Sequence, residues 1–106
     1  MSVPVRSAEQ RADALGAALA ARQERSRLRA ALKAREISAV DVIEGAPENA
    51  LWGGLRVSWL LECVPGIGAV RADRIMETLT IARSRRVQGL GERQRSALIH
   101  ELGGAG

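Results

Sequence analysis

The chain has 106 residues and a mass of 11.3 kDa, the size of one small domain, which excludes repeat arrays and multidomain enzymes. Alanine is abundant, phenylalanine and tyrosine are absent and tryptophan occurs twice, so we expect a compact aliphatic core. Because Ala and Leu favour helices and β-branched runs are scarce, the composition predicts an all-α protein with no sheet. The net charge of +4 and the isoelectric point near 10.9 favour a polyanionic partner.

The charges are segregated along the chain. Residues 1–35 carry a net charge of +5, residues 36–50 carry −4 and residues 51–106 carry +3. We therefore predict an N-terminal arm with a long basic helix, residues 1–36, and a compact helical domain, residues 37–106, which together form one globular unit. The single cysteine and the absence of a signal peptide or a long apolar run predict a cytoplasmic protein with no disulfide and no membrane partner.

The first predicted helix is long and carries few apolar residues. A capping box of Ser7 and Gln10 marks its start, and the helical pattern continues to about Arg35. Its main apolar residues are the leucines at positions 15, 19, 28 and 32. Since four leucines form a narrow stripe on so long a helix, we expect part of the helix to project beyond the core.

Short helices are expected next. A capping box of Ser38 and Asp41 predicts one that ends at Gly45. Pro47 suits the first turn of a further short helix that runs through Trp52 and ends at two glycines.

The second half of the chain is predicted to hold three more helices. Residues 57–64 form a broadly apolar helix that ends at Pro65, residues 69–79 form the next, and residues 92–102 follow a loop and form the last. The positions expected to face the core in the last two helices are Val70, Ile75, Met76, Leu79, Leu98, Ile99 and Leu102.

The segment V-P-G-I-G at residues 64–68, between two predicted helices, is typical of a helix-hairpin-helix motif. Gly66 and Gly68 permit a tight turn and a close approach to a ligand, Ile67 anchors the hairpin, and Ala72 permits close helix packing. The free amides at the start of the following helix suit a DNA backbone phosphate, although an ordinary turn between helices is the alternative. The predicted hairpin contacts are Gly66, Ile67, Gly68, Ala69, Val70, Arg71 and Arg74.

A second candidate is the arginine-rich segment R-S-R-R-V-Q-G-L-G at residues 83–91, which continues to Arg93 and Arg95. Arginines on a glycine-bearing loop suit the minor groove, whose narrow walls focus negative potential. The alternative is an ordinary solvated run of charges. The predicted contacts are Ser84, Arg85, Arg86, Gln88, Gly89 and Arg93.

A third candidate is the basic face of the first helix, where basic residues recur every three or four positions. Glu24 alone interrupts this charge between residues 14 and 35, so we interpret the face as a secondary nucleic-acid contact, with an ordinary solvated helix face as the alternative. The predicted secondary contacts are Arg22, Arg25, Arg29, Lys33 and Arg56.

Residues with catalytic chemistry are sparse. One histidine, His100, and one cysteine, Cys63, provide no cluster of metal ligands, and no lysine follows Lys33. The chain also lacks a nucleophile elbow and a Walker loop. We therefore predict no enzymatic activity, no metal, no cofactor and no small-molecule substrate. Cys63, Trp52 and Trp59 are interpreted as core residues and His100 as a surface residue.

Residues 5–103 resemble the actinobacterial integration host factor family, which shares only its name with the β-ribbon protein. The motifs that carry the resemblance are E-Q-R-A-x-A-L and A-A-R-x-E-R in the first helix, V-S-x-L-L-E at 57–62, P-G-I-G-A-V-R-A with I-M-E, and S-R-R-V-Q-G-L-G-E-R-Q at 84–94. The resemblance implies an all-helical fold of the helix-two-turns-helix type, akin to a ribosomal small-subunit protein. It also implies a nucleoid-associated protein that binds double-stranded DNA with little sequence preference and alters its shape or supercoiling.

The resemblance further implies individual roles. The long helix would offer a second duplex site. By position, the phosphate binders would be Gly66, Gly68, Val70 and Arg71, and the groove or backbone contacts Ser84, Arg85 and Arg86.

This chain departs from the family where relatives tend to be basic, at Gly54, Ala69 and Gln88. Each lost phosphate contact would make the slope of log affinity against log salt concentration shallower by up to about 0.9. We therefore expect DNA binding of the same type but with lower affinity. Two other functions stay open at this point: an RNA-binding or ribosome-associated module, and a protein-interaction adaptor that uses the acidic connector. We expect the free protein to be a monomer.

Overall fold

The computed structural model describes residues 8–104, and their regular structure is helical throughout. The elements are α1 (Ala8–Lys33), α2 (Ala39–Gly45), α3 (Ala50–Gly53), α4 (Val57–Glu62), α5 (Ala69–Thr78) and α6 (Glu92–Gly104), with single 3-10 turns at Ala46–Glu48 and Val87–Gly89. Within this described part, extended backbone pairs only at an isolated antiparallel bridge between Arg56 and Arg86. The predicted all-α class is confirmed.

Helix α1 joins the core by its C-terminal turns alone. Leu28 and Leu32 are buried, whereas Leu15 and Leu19 are 62% and 45% exposed. The helix has 26 residues, about 39 Å at 1.5 Å per residue, in a molecule whose longest dimension is 55 Å. The predicted projection is therefore confirmed; the predicted cap, Ser7, lies outside the described residues.

The short helices match the predicted capping signals with one exception. Ser38 Oγ accepts from the Asp41 amide at 3.1 Å, and the Asp41 carboxylate accepts from the Ser38 amide at 3.0 Å. The prediction of a single helix from Pro47 to Trp52 is wrong, because Asn49 divides this segment into the 3-10 turn and α3. The Asn49 Oδ1 atom accepts from the Trp52 amide at 3.2 Å and starts α3 as a new helix.

Helix α4 is the most buried element, as predicted. Val57, Leu60 and Leu61 have no exposed surface, and Cys63, immediately after the helix, is 2% exposed. Burial raises the pKa of the Cys63 thiol above its ordinary value, so the thiol stays protonated at neutral pH. Cys63 is thus a small core residue, while Trp59 is half-buried against the core.

Helix α5 packs on α4 through one face, and the prediction for Val70 is wrong. Ala72, Ile75 and Met76 are buried, but Val70 is 73% exposed. Val70 and Ala72 are two positions apart, which places their side chains about 200° apart around the helix. Val70 therefore faces solvent beside the hairpin.

The last helix, α6, packs on α2 and completes the core. Leu98 is fully buried, Ile99 and Leu102 are half-buried, and His100 is exposed, as expected. The Gln94 side chain donates to the Thr80 carbonyl at 2.8 Å and fixes the start of α6 to the loop before it. Within residues 8–104, every helix is too short or too polar to span a bilayer.

The uneven burial of α1 predicts a contrast between two leucines. Leu32→Ala should lower the free energy of unfolding by about 2–5 kcal/mol, because it leaves a cavity in the core. Leu15→Ala should change it by about 0.5 kcal/mol or less, because Leu15 is exposed. Urea unfolding followed by tryptophan fluorescence measures both, and equal losses would contradict the projecting helix.

Candidate nucleic-acid interface

The hairpin between α4 and α5 is shaped by Gly66. Its φ is +87°, a left-handed conformation that favours glycine, whereas Gly68 has φ −92° and ψ −175°, which any residue adopts. A Cβ on either glycine would meet no atom within 4 Å. The turn therefore requires glycine at position 66, while Gly68 keeps an open space in front of α5. Ile67 is buried beneath the turn, as predicted.

The N-terminus of α5 has no side-chain cap. The Ala72 amide donates the first hydrogen bond of the helix, to the Gly68 carbonyl at 2.9 Å. The amides of Ala69, Val70 and Arg71 come before it and have no acceptor within the helix. These residues are exposed, and the Arg71 guanidinium lies 3.5 Å from the Gly66 carbonyl oxygen. The site therefore offers several donors and positive charge to an anion from solvent.

Backbone bonds hold the arginine-rich loop in place. The Val57 amide donates to the Arg85 carbonyl at 3.0 Å, and the Val87 amide donates to the Leu55 carbonyl at 2.9 Å. This pairing places the loop beside the start of α4, and so beside Arg56. The sequence predicted a loop here but carried no signal for this pairing.

Two loop arginines are oriented by carbonyl oxygens. Arg85 Nη1 donates to the Gly89 carbonyl at 2.9 Å, and Arg86 Nη1 donates to the Gly54 carbonyl at 2.5 Å. A carbonyl fixes the guanidinium without neutralising it. Both arginines are exposed, so their full positive charge faces solvent.

The loop is also joined to α5 by an ion pair. Arg83 Nη1 lies 2.5 Å from Asp73 Oδ1, and both side chains are well exposed. Asp73 lies one helical turn after Ala69, so this pair links the loop to the hairpin helix. The sequence placed Arg83 in the arginine-rich segment but gave Asp73 no role in the site, and it did not predict their pairing, because the two are ten positions apart and no local pattern joins them.

The basic face of α1 meets the loop at a groove around Trp59. Arg25, Arg56 and Arg86 line this groove, which we call the arginine groove. The structure therefore unites residues that the sequence placed in two separate candidates. Arg22 and Arg93 are exposed but do not line it.

The other two basic residues on this face of α1, Arg29 and Lys33, are held by contacts with α4. The Arg29 guanidinium carbon lies 5.5 Å from the centroid of the Trp59 ring, a cation–π distance. The Lys33 ammonium donates to the Glu62 carbonyl at 3.1 Å. These contacts hold Arg29 and Lys33 along α4, between the arginine groove and the hairpin.

The remaining predicted loop residues lie on its surface. Ser84, Gln88 and Gly89 are exposed, and a Cβ on Gly53 would come 3.1 Å from Gln88 Oε1, so Gln88 lies against α3. Arg74 is exposed one turn beyond Val70. Among the described residues, His, Cys, Asp and Glu side chains nowhere form a group of three that could hold a metal ion.

Residues 32–102 match the family of S13-like H2TH domains. The integration host factor of Streptomyces coelicolor is 47% identical over 100% of this chain and 99% of its own length. That of Mycobacterium tuberculosis is 43% identical over 99% of this chain and 100% of its own. A solved structure of sIHF bound to an 8-base-pair palindromic DNA has 46% sequence identity and a TM-score of 0.78, covering 82% of this chain and 98% of that chain.

The two hairpin glycines should respond differently to the same substitution. Gly66→Ala should lower the free energy of unfolding by about 1–2 kcal/mol, because alanine is strained at a positive φ. Gly68→Ala should leave it unchanged within about 0.5 kcal/mol, since its conformation and surroundings accept a methyl group. Thermal or urea unfolding measures the difference, and comparable losses in the two variants would overturn the assignment of the turn.

Proposed function

The chain belongs to the integration host factor family of S13-like H2TH proteins, and from this premise we propose that it is a non-enzymatic, nucleoid-associated protein of the cytoplasm. It binds double-stranded DNA with little sequence preference and alters the shape or topology of the duplex. The observation that carries the proposal is the uncapped N-terminus of α5, open to solvent and with the exposed Arg71 guanidinium in its first turn. A solved relative of similar fold holds DNA, which supports a DNA phosphate as the anion.

In this proposal the hairpin binds one strand by its backbone. The exposed amides of α5 donate to a phosphate oxygen, and Arg71 adds a charge-assisted bond from the same turn. Gly68 matters because the absence of a side chain lets the sugar-phosphate backbone approach. The hairpin contacts are Gly66, Gly68, Ala69, Val70, Arg71 and, one turn further, Arg74, with Ile67 as the buried anchor.

The arginine-rich loop binds the adjacent minor groove. Arg85 and Arg86 are already oriented by backbone carbonyls, so little side-chain entropy is lost when they enter a narrow groove. Contacts of this kind read groove width rather than base edges, which accounts for low sequence preference. The proposed loop contacts are Ser84, Arg85, Arg86, Gln88, Gly89 and Arg93.

The basic face of α1 is the secondary contact. Arg25 lines the arginine groove together with Arg56 and Arg86, and Arg29 and Lys33 continue this surface along α4. One duplex that enters the arginine groove therefore meets both the loop and α1. Arg22 extends the contact toward the projecting part of α1. In this sense the chain has two functional parts, residues 1–36 and residues 37–106.

Three departures from the family weaken the binding. Gly54, Ala69 and Gln88 stand where the resemblance to the family implies basic residues, and none of the three supplies a charge. Their positions lie beside Arg86, at the start of α5 and in the loop, so each adjoins a proposed phosphate or groove contact. Binding should therefore depend less steeply on salt than in a relative with all three charges.

Gly68→Asp separates DNA binding from stability. Asp is a favourable N-cap residue, so the variant should fold at least as stably as the wild type. Its carboxylate would face the phosphate. Like charges about 4 Å apart repel by roughly 1 kcal/mol in bulk water and roughly 4 kcal/mol near a protein surface, so the Kd for duplex DNA should rise roughly fivefold to several-hundredfold. Fluorescence anisotropy at several salt concentrations measures the affinity.

Gly103→Asp is the matched control for this experiment. It makes the same change in charge at an exposed glycine of α6, where a Cβ meets no atom within 4 Å and which lies outside the proposed interface. Its affinity should stay close to that of the wild type. Unchanged binding by Gly68→Asp would exclude the hairpin as the docking site.

Arg56→Gln tests the arginine groove. If Arg56 neutralises one phosphate, the slope of log affinity against log salt should become shallower by about 0.9. Arg27→Gln is the control with the same change in charge, because Arg27 already pairs with Glu24 and does not line the arginine groove. Equal slopes for Arg56→Gln and the wild type would remove Arg56 from the interface.

A further inference from the structure

A groove of a different character lies next to the hairpin. It has a cavity volume of about 380 Å³ and is bounded by the last turn of α1, the start of α2, the hairpin, α5 and the end of α6. Most of its wall is aliphatic, whereas the arginine groove has three guanidinium groups. We call it the apolar groove, and its principal aliphatic side chains are Leu32, Ile37, Val40, Ile67, Ile75 and Leu102.

Two guanidinium groups, those of Arg35 and Arg71, also line the apolar groove, together with the single carboxylate of Glu101. The two ion pairs among the described residues, Arg27–Glu24 and Arg83–Asp73, involve neither Arg35 nor Arg71. The groove is therefore an apolar cleft with excess positive charge. Clefts of this size with aliphatic walls and a few placed polar groups are typical of small-molecule sites.

Arg35 occupies its position at a conformational cost. Its φ is +61°, and it ends α1 with bonds from its own amide to the Leu32 carbonyl at 3.2 Å and from the Glu36 amide to the Ala31 carbonyl at 2.9 Å. Glycine is the usual residue at such a helix end, because it adopts the left-handed conformation without strain. Arginine at this position is strained but places a guanidinium on the apolar groove. Glycine would relieve the strain and provide no charge there.

We propose that the apolar groove binds a small amphiphilic carboxylate, a medium-chain aliphatic acid in chemical class. Its hydrocarbon chain lies against the aliphatic wall, and its carboxylate accepts hydrogen bonds from Arg35 and Arg71. The match of an apolar body to the wall and of a negative head to two cations selects this class over a nucleic-acid backbone. The site is distinct from the DNA interface except for Arg71, which belongs to both.

The experiment uses the full chain and 8-anilinonaphthalene-1-sulfonate, a fluorescent amphiphilic anion, as the reporter. We expect saturable binding of one reporter per chain, and displacement of the reporter by decanoate. Acetate lacks the hydrocarbon chain, and decyltrimethylammonium carries the opposite charge, so neither should displace it. Non-saturable binding, or displacement by acetate or the ammonium compound as effective as that by decanoate, would overturn the proposal.

Substitutions of Arg35 test whether decanoate binds in the apolar groove. Arg35→Gly should weaken decanoate binding about tenfold or more, because one charge-assisted hydrogen bond is lost. The same substitution should raise the Tm, because it relieves the left-handed strain. A variant that binds more weakly yet melts higher cannot owe its lost affinity to unfolding.

Arg35→Lys and Arg27→Gln complete the set. Arg35→Lys keeps the charge and should retain most of the affinity, and Arg27→Gln, away from the groove, should match the wild type. Wild-type affinity in Arg35→Gly would overturn the proposal, as would an equal loss in Arg27→Gln. No DNA is present in these measurements, so their failure leaves the proposed DNA binding untouched.

Discussion

The proposed interface depends on amide groups at the start of α5 that the helix itself leaves without acceptors. Gly68 occupies the N-cap position, where Ser, Thr or Asp would place an oxygen against these amides. Such a cap would compete with a phosphate for the same donors. Glycine at this position costs the helix only a few tenths of a kcal/mol relative to a good cap. The site therefore stays open at little expense in stability, because the packing of Ile67 and Ala72 holds the hairpin from below.

The positive charge of the proposed interface is preserved by the way its arginines are held. Arg85 and Arg86 donate to carbonyl oxygens, and Arg29 lies over an aromatic ring, so each is oriented without a neutralising carboxylate. Arg83, by contrast, pairs with Asp73 and joins the loop to α5. Exposed pairs of this kind add little stability, so the aliphatic core maintains the fold while the arginines remain available to a polyanion.

The sequence predicted the elements whose signals are local. Leucine spacing predicted α1 and its projection, and the Ser38 capping box predicted α2. Asn49 was a readable N-cap signal that the helix prediction passed over, and Val70 was assigned inward on hydrophobicity although its angular position puts it opposite Ala72. The arginine groove had no local signal, because Arg25 and Arg86 meet only through the packing of α1 on α4 and the backbone pairing of the loop.

The anchoring of α1 links the core to the secondary contact. Leu28 and Leu32 fix the end of the helix from inside, and the contacts of Arg29 with Trp59 and of Lys33 with the Glu62 carbonyl fix it from the side. The direction of the helix, and with it the position of Arg25 in the arginine groove, is therefore set by core packing. The turns before Arg25 gain no such support, so a duplex would meet a positioned cation in the groove and a projecting arm beyond it. The proposed interface would combine a defined docking point with tolerance of sequence, because its positioned groups would face phosphates and groove walls rather than base edges.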